Sequence, residues 1–387
     1  MIAHNKTLLE NQFLINQAQS LQKAGFISPE NLAQIEKDLP VLKTQKNILI
    51  RLGMAFLGLL LYSSICGFIS LLGINSIDHN FQVYLFIYAA IGFAGAEFFA
   101  QQNTKEQGLD DTFLIGGQIL LAIAIGFDHD DYQILMALTA TLVSFLSYLR
   151  YTHLSSVFLF CVASTATIGI GVFNSENIPT NLLTFILMGY AAIVYFLANK
   201  ATQQVRYPFY HLGLVVFKNF GLVLFYLAGN YLIVRELSVA LLNLHLTPKT
   251  DIPLAWFFYT FTILVPVLYI YFSIKLQQRA MLWIGFLAVG FSIYTIRMYH
   301  HVLPPELALT LGGLILFALT TFCIKRLKHK TTGLSFVPDK FANSQNFIHS
   351  QALMLTSQFG IKPETTPQSP MEFGGGDFSG GGSGGGF

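Results

Sequence analysis

The chain has little charge. Only 11% of its 387 residues are Asp, Glu, Lys or Arg, while 53% are hydrophobic. Soluble domains carry about 25% charged residues, so this composition excludes an ordinary water-soluble globule. The net charge of +2 also excludes the strongly basic surface of a nucleic-acid-binding protein, and we expect no nucleic-acid partner.

Cysteine and catalytic motifs are scarce as well. Cys66, Cys161 and Cys323 all lie in apolar segments and form no CxxC pair, which indicates packing rather than redox chemistry. The chain has no Walker A sequence, no HExxH sequence and no Ser, His and Asp that a motif links into a triad. We therefore name no catalytic residue, expect no cofactor and favour a non-enzymatic role.

What the chain has in abundance is long apolar runs. A helix needs about 20 mostly apolar residues to cross a bilayer. Ten stretches approach that length: Leu52–Leu72, Phe81–Ala100, Thr112–Phe127, Tyr132–Leu149, Leu154–Phe173, Asn181–Ala198, Leu212–Val234, Pro253–Ile274, Ala280–Tyr299 and Glu306–Ile324. The third would reach only about 24 Å at 1.5 Å per residue, less than a hydrocarbon core of about 30 Å, so it is either a span or a re-entrant element.

The basic residues alternate from loop to loop. If the ten spans cross a membrane, 18 of the 22 Lys and Arg residues lie on one side, three on the other and Lys218 within a span. The larger set is Lys6, Lys23, Lys37, Lys43, Lys46, Arg51, Lys105, Arg150, Lys200, Arg206, Lys275, Arg279, Lys325, Arg326, Lys328, Lys330, Lys340 and Lys362, and the smaller is Arg235, Lys249 and Arg297. Basic residues stay on the cytoplasmic side. This partition predicts a multi-pass protein with both termini in the cytoplasm.

The flanking segments differ from the ten-span domain, which we place at residues 48–325. Residues 1–47 predict a cytoplasmic helical hairpin, with Ser28 as N-cap and Pro29 at the first position of its second helix. Its apolar residues Phe26, Ile27, Leu32 and Ile35 need a partner, which could be the membrane, a second copy or another protein.

Residues 326–387 predict a flexible cytoplasmic tail. The tail is Gly-rich at 373–387, where nine glycines stand among single aromatic residues. Gly ordering entropy is large and there is little apolar surface to bury, so we expect disorder there. Phe373, Phe378 and Phe387 could contact a protein partner.

The phrase LQKAGFISPENLAQIE, from Leu21 to Glu36, stands in front of the many-span region. In this order of parts the chain resembles the bacterial DUF2157 family of predicted integral membrane proteins over about its first 70 residues. The resemblance implies a bacterial cytoplasmic (inner) membrane. It implies no activity, because the family is uncharacterised.

Charged residues inside spans are the first functional candidates. One such charge near a helix centre costs about 2.5–3.5 kcal/mol. Lys218, followed by Asn219, lies in the seventh span, and Glu97 lies in the cytoplasmic half of the second. Either Lys218 extends its ammonium group to the interface, or it forms an ion pair with Glu97.

Histidines in the outer loops are weak candidates for metal ligands. His79 and His129 stand beside aspartates, and His300 and His301 are adjacent to each other; such side chains bind zinc, nickel or copper. No regular His spacing accompanies them, so solvated polar loops are the simpler interpretation.

Two function classes stay open. One is an envelope scaffold or sensor-like membrane component that recruits a protein partner through the hairpin or the Gly-rich tail. The other is a small-solute or ion transporter built as a five-plus-five inverted repeat. Gly116 and Gly117 in the third span and Pro266 in the eighth stand at matching positions of the two halves, where each could interrupt its helix. The lipid bilayer is a partner in both cases.

Overall fold

Long apolar helices make up almost all of the chain that the structure describes. A computed structural model describes residues 2–23, 26–45, 47–74, 80–127, 129, 131–175, 179, 182–204, 208–242, 252–276 and 278–299, with scattered positions between 307 and 325. Within these ranges there are twelve helices and no strand, and nine of the helices are long and apolar enough to cross a membrane. The protein is an all-α, multi-pass membrane protein, as the composition predicts.

Two short helices, α1 (Lys6–Lys23) and α2 (Pro29–Asp38), precede the spans. The nine long helices are α3 (Ile48–Leu72), α4 (Phe81–Gln101), α5 (Leu109–Gly126), α6 (Tyr132–Tyr151), α7 (Leu154–Phe173), α8 (Leu183–Gln204), α9 (His211–Gly229), α11 (Ala255–Leu276) and α12 (Arg279–Tyr299), and a short α10 (Tyr231–Leu242) follows α9. Of the tenth predicted span only scattered helical positions are described, so the total of ten stays a prediction. The predicted tail, 326–387, lies outside the described residues.

The spans pack as successive antiparallel pairs. Helix α4 packs on α5, α6 on α7, α8 on α9, and α11 on α12. Helix α5 also contacts α3, α6 and α7, and 50% of its residues are buried, against 11% of the apolar window of α3. The α4–α5 pair is closest at two glycines, because a Cβ on Gly92 would lie only 2.5 Å from the Gly117 Cα atom.

The turns within these pairs lie at one end of the bundle, together with α1 and α2. The Lys43 amide donates to the Asn103 carbonyl of the α4–α5 turn at 2.9 Å, and the Ala3 amide donates to the Arg150 carbonyl at 2.9 Å. We call this the hairpin end. The basic residues Lys105, Arg150 and Arg279 lie here, so the described loops share ends as the basic pattern predicts.

The third span is a complete helix that runs the length of the bundle. Helix α5 begins at Leu109, three residues before the predicted Thr112, and its 18 residues span about 27 Å. Its far end is held where α4 begins, because Gln82 Nε2 donates to the Ala124 carbonyl at 3.0 Å. A re-entrant element would return to the end where it starts, so the structure favours the spanning alternative.

The seventh predicted span is wrong as one continuous helix. Helix α9 ends at Gly229, and Asn230 has an extended backbone with φ −73° and ψ 129°. The Asn230 Oδ1 atom accepts the Leu232 amide hydrogen at 3.0 Å and so caps the next helix, α10. The helix therefore ends at Gly229, five residues before the predicted Val234.

The two groups of five do not share a packing order in the described residues. The first two helices of the first group are α3 and α4, and they touch only slightly, since α3 packs on α5 instead. The first two helices of the second group are α8 and α9, and they pack along each other. Gly116, Gly117 and Pro266 all lie inside continuous helices, so the predicted interruptions are wrong. In α5 the glycines serve close packing: a Cβ on Gly116 would lie 2.4 Å from the Tyr62 ring.

The N-terminal hairpin has its own small core. Ser28 caps α2 as predicted, with its Oγ accepting the Asn31 amide hydrogen at 3.3 Å. The apolar residues that needed a partner pack on α1 of the same hairpin: Ile15, Ala18 and Leu21 meet Ile27 and Ile35, with Phe26, Leu32 and Leu39 at the edge. A second contact, of Leu9 and Leu42 with Phe209, holds the hairpin on the bundle.

Candidate functional site

A buried group of ionisable side chains lies at the hairpin end, where α3, α5 and α7 begin. Asp111, in the first turn of α5, is its centre, and its exposed fraction is 7%. Arg51 of α3 donates to Asp111 Oδ2 from Nη2 at 2.6 Å and from Nε at 3.0 Å. We call the whole group the Asp111 cluster; its members are His4, Arg51, Lys105, Glu106, Asp110, Asp111, His153 and Ser155.

His153 lies between the two aspartates of the cluster. Its Nδ1 atom is 3.1 Å from Asp111 Oδ1, which also accepts the Ser155 hydroxyl at 3.1 Å. Asp111 is held ionised by Arg51 and only accepts, so we assign the hydrogen to His153 Nδ1. The Nε2 atom of His153 then faces Asp110 Oδ2 at 3.6 Å.

Asp110 has one satisfied and one unsatisfied carboxylate oxygen. Oδ1 accepts the backbone amides of Gln107 at 2.9 Å and Gly108 at 3.0 Å. Oδ2 is buried and has no hydrogen bond among the described residues, and the whole residue is only 2% exposed. With His153 Nε2 3.6 Å away, just beyond hydrogen-bond distance, Oδ2 remains an acceptor without a donor among the described residues.

The start of the chain covers this pair. The His4 ring stacks on the His153 ring, with centroids 5.9 Å apart and planes 25° apart. Both rings are buried, at 4% and 3% exposed. Burial first, and then the neighbouring charges of His153 and Lys105, lower the pKa of His4 to about 3, although the Tyr151 and Ala100 carbonyls oppose this shift.

The backbone around the cluster is held in unusual conformations. Four of the five described residues with positive φ lie in its two turns: Asn103 (56°), Glu106 (56°), Gly108 (102°) and Thr152 (57°). A positive φ is costly for a β-branched residue such as Thr152, so tertiary contacts hold the backbone of these turns in place.

Lys105 lies in the same α4–α5 turn. Burial lowers the pKa of its ammonium group, although the Glu106 carboxylate lies 4.0 Å away.

The predicted ion pair between Lys218 and Glu97 is not formed. Glu97 accepts two hydrogen bonds from Arg150 Nη2 at 2.9 Å and one from the Tyr151 hydroxyl at 3.1 Å. Lys218 Nζ instead donates to Gln278 Oε1 at 3.3 Å. The Asn219 Oδ1 atom is buried and has no hydrogen bond to any residue that the structure describes. None of the three predicted residues, Glu97, Lys218 and Asn219, belongs to the Asp111 cluster.

Only one of the four histidine candidates for a metal site lies among the described residues. His79, His300 and His301 lie outside them, and His129 is exposed. Within the part of the chain that the structure describes, no three His, Cys, Asp or Glu side chains are arranged to hold a metal ion.

A second buried polar group lies where α9 meets α10. Asn230 Nδ2 donates to the Tyr226 hydroxyl at 3.0 Å, and Asn230 Oδ1 accepts from Thr295 Oγ1 at 3.2 Å. Ser292 Oγ is 2.9 Å from the same Tyr226 hydroxyl. Helices α9 and α12 are thus joined by hydrogen bonds inside the bundle, and the polar atoms of the Asn230 side chain all have partners within the protein.

The sequence analysis does not find the Asp111 cluster, because the predicted third span begins at Thr112. Two features of the sequence indicate an earlier start. Acidic residues favour the first turn of a helix, which suits Asp110 and Asp111 directly after Gly108. The predicted third span is also too short to cross the bilayer, which indicates that the helix extends beyond Thr112 or Phe127. No pattern along the chain points to His4 or His153 as their neighbours.

Comparison of the chain with family models, with curated proteins and with solved structures gives no match.

Proposed function

We propose that this protein is a scaffold or sensor-like component of a bacterial cytoplasmic membrane, and that its N-terminal hairpin is the part that responds or recruits. The observation that carries the proposal is the attachment of the hairpin to the bundle on both of its sides. Residues before α1 hold the α6–α7 turn, and residues after α2 hold the α4–α5 turn.

Each attachment links the hairpin to a different pair of spans. Ala3 and His4 contact the segment around Arg150 to His153, and Lys43 exchanges backbone hydrogen bonds with Asn103 and Lys105 at 2.9 and 3.1 Å. A shift of either turn therefore moves the hairpin, and a load on the hairpin acts on α5 through the Asp111 cluster. Such two-way coupling is what a sensor or a regulated scaffold needs.

The transporter alternative receives less support. The two groups of five spans pack in different orders within the described residues, whereas an inverted repeat requires the same order in both. Transporters typically break helices near the bilayer midplane, whereas α9 has 19 residues before the break at Asn230, and the polar groups there bond within the protein. The DUF2157 resemblance is compatible with a non-transporting role and is itself part of the proposal.

The hairpin end is proposed to face the cytoplasm, and topology reporters test this. Fusions after Gln107 and Gln203 should report the cytoplasm, and fusions after Asn80 and Asp131 should report the outside, because 18 basic residues lie on the first side. Reversed signals at all four sites would place the hairpin outside. Reversal only beyond Gln107 would mean that α5 does not cross.

In-cell photo-crosslinking tests the role of the hairpin. A photoreactive amino acid at the exposed Gln34 of α2 should yield discrete adducts with one protein or a second copy, and the same probe at the exposed His129 should not. Leu9→Gln places an amide in the contact with Phe209, where Leu9 is 3% exposed, and should change the adduct yield. An absence of discrete adducts would contradict the proposal, and an unchanged yield would contradict coupling to the bundle.

A further inference from the structure

The His4–His153 stack joins the start of the chain to the most buried charged site in the described residues of the hairpin end. Residues 2–5 also contact the protein elsewhere: Ile2 packs beside Leu9, Leu42 and Phe209, the Ala3 amide bonds the Arg150 carbonyl, and the Ala3 side chain packs beside Ala96, Ala100 and Tyr151. The ring contact is the one of these in which a side chain of the segment can take up a proton.

A proton on His4 does not suit this site. The ionisable groups on the elements packed around His4 are Lys105 and Glu106 from the α4–α5 turn, Glu97 from α4, Asp110 and Asp111 from α5, Arg51 from α3, Arg150 and Tyr151 from α6, and His153 from the α6–α7 turn. The His4 ring is only 4% exposed and lies directly over the His153 ring, so a proton on it would place a charge in a desolvated position.

We propose that the His4–His153 stack is a proton-operated latch. In the closed state neutral His4 lies on His153 and holds residues 2–5 against the α4–α5 and α6–α7 turns. When His4 takes up a proton, the segment leaves the bundle and one of the two attachments of the hairpin is lost. The latch would make the hairpin responsive to acidification, and in this respect it rests on the proposed sensor function.

The sign and size of the effect follow from linkage. Closing lowers the pKa of His4 from its ordinary value of 6.5 to about 3, so the open state binds the proton more tightly. The stability of the closed state is therefore complete above the open-state pKa and is lost as the pH falls below it. Between about pH 7.5 and about pH 5.5 the closing equilibrium should fall about tenfold.

Hydrogen exchange of the full-length protein in lipid nanodiscs measures this equilibrium directly. The Ala3 amide hydrogen is bonded to the Arg150 carbonyl in the closed state and becomes free in the open state. Its protection factor, corrected for the intrinsic pH dependence of exchange, should fall about tenfold over that pH range. The fall should follow the uptake of one proton.

His4→Phe is the decisive variant, because it keeps a planar ring over His153 and cannot take up a proton. Its Ala3 protection should not change with pH. His129→Phe, at an exposed histidine at the other end of the bundle, should behave as the unaltered protein does. If residues 2–5 of the His4→Phe variant do not close on the bundle at any pH, His4→Leu gives a second side chain that cannot titrate.

Two results would overturn the latch: protection that does not change with pH in the unaltered protein, or the same fall in a closed His4→Phe or His4→Leu variant. Either result would leave the crosslinks from Gln34 unaffected, and would remove only the pH control. Missing crosslinks together with a working latch would instead contradict only the proposed function.

Discussion

Asp111→Asn should lower the free energy of unfolding by about 3–5 kcal/mol, the cost typical of removing one partner of a buried ion pair. Arg51 and His153 share this carboxylate, and its exposed fraction is only 7%. An amide at the same place would keep one acceptor oxygen, but its NH2 group would face either the Arg51 guanidinium or the donors His153 and Ser155. Melting in detergent with a reversible denaturant series measures the loss.

Glu97→Gln is the matched control for this prediction. The Glu97–Arg150 pair also lies at the hairpin end, with a contact of 2.9 Å against 2.6 Å for Arg51–Asp111. Its side chains are 33% and 45% exposed, whereas those of Asp111 and Arg51 are 10% and 31% exposed. Exposed pairs contribute about 0–1 kcal/mol, so this change should have little effect. Comparable losses from the two substitutions would mean that the Asp111 cluster is as solvated as the surface pair.

A double-mutant cycle separates the ion pair from other roles of Asp111. Arg51→Gln combined with Asp111→Asn removes both charges, so the double variant should recover part of the loss seen in each single variant. Groups in contact show coupling free energies of about 0.5–3 kcal/mol. Simple additivity would indicate that Arg51 and Asp111 do not interact in the folded protein.

Asn230→Leu should lower the free energy of unfolding by about 2–4 kcal/mol. Asn230 is fully buried, caps α10 at Leu232 and bonds both Tyr226 and Thr295. Loss of a helix cap costs about 0.5–2 kcal/mol, and each buried polar group left without a partner costs about 1–3 kcal/mol. The same unfolding assay applies, and helix content should fall little because α9 and α10 are both retained.

Asn219→Leu provides the comparison, since it is the same substitution within α9, the helix that precedes Asn230. The Asn219 oxygen is buried without a hydrogen bond in the described part of the chain, so its removal should leave stability equal or slightly higher. If Asn230→Leu were equally harmless, the hydrogen bonds at the helix break would contribute nothing to the joining of α9 and α12.

The hairpin and the basic-residue pattern show how far local reasoning reaches. The Ser28 cap and the Pro29 start depend on residues within one turn of each other, and both are found as predicted. The alternation of Lys and Arg depends only on which loop a residue occupies, and the described loops lie at matching ends. The break at Asn230 was also readable, because Gly229 is followed by a residue type that caps helices.

The candidate site shows where that reasoning stops. The sequence places Lys218 and Glu97 within predicted spans, but a position along a span leaves the rotation of each helix undetermined. In the structure Glu97 meets Arg150, and Lys218 meets Gln278. Three of the four histidine candidates for a metal site lie outside the described residues, so that site stays a prediction.

The sequence by itself determined that this is a helical membrane protein, where most spans lie and which loops share an end. Those properties depend on composition and on the order of residues, since burial of the backbone in lipid requires long apolar helices whatever their neighbours are. Only the tertiary structure decided that Asp111 meets Arg51, 60 positions away, and His153, 42 positions away, beneath His4. Such contacts depend on helix rotation and on close approaches such as that of Gly92 to Gly117, which no periodicity along the chain encodes.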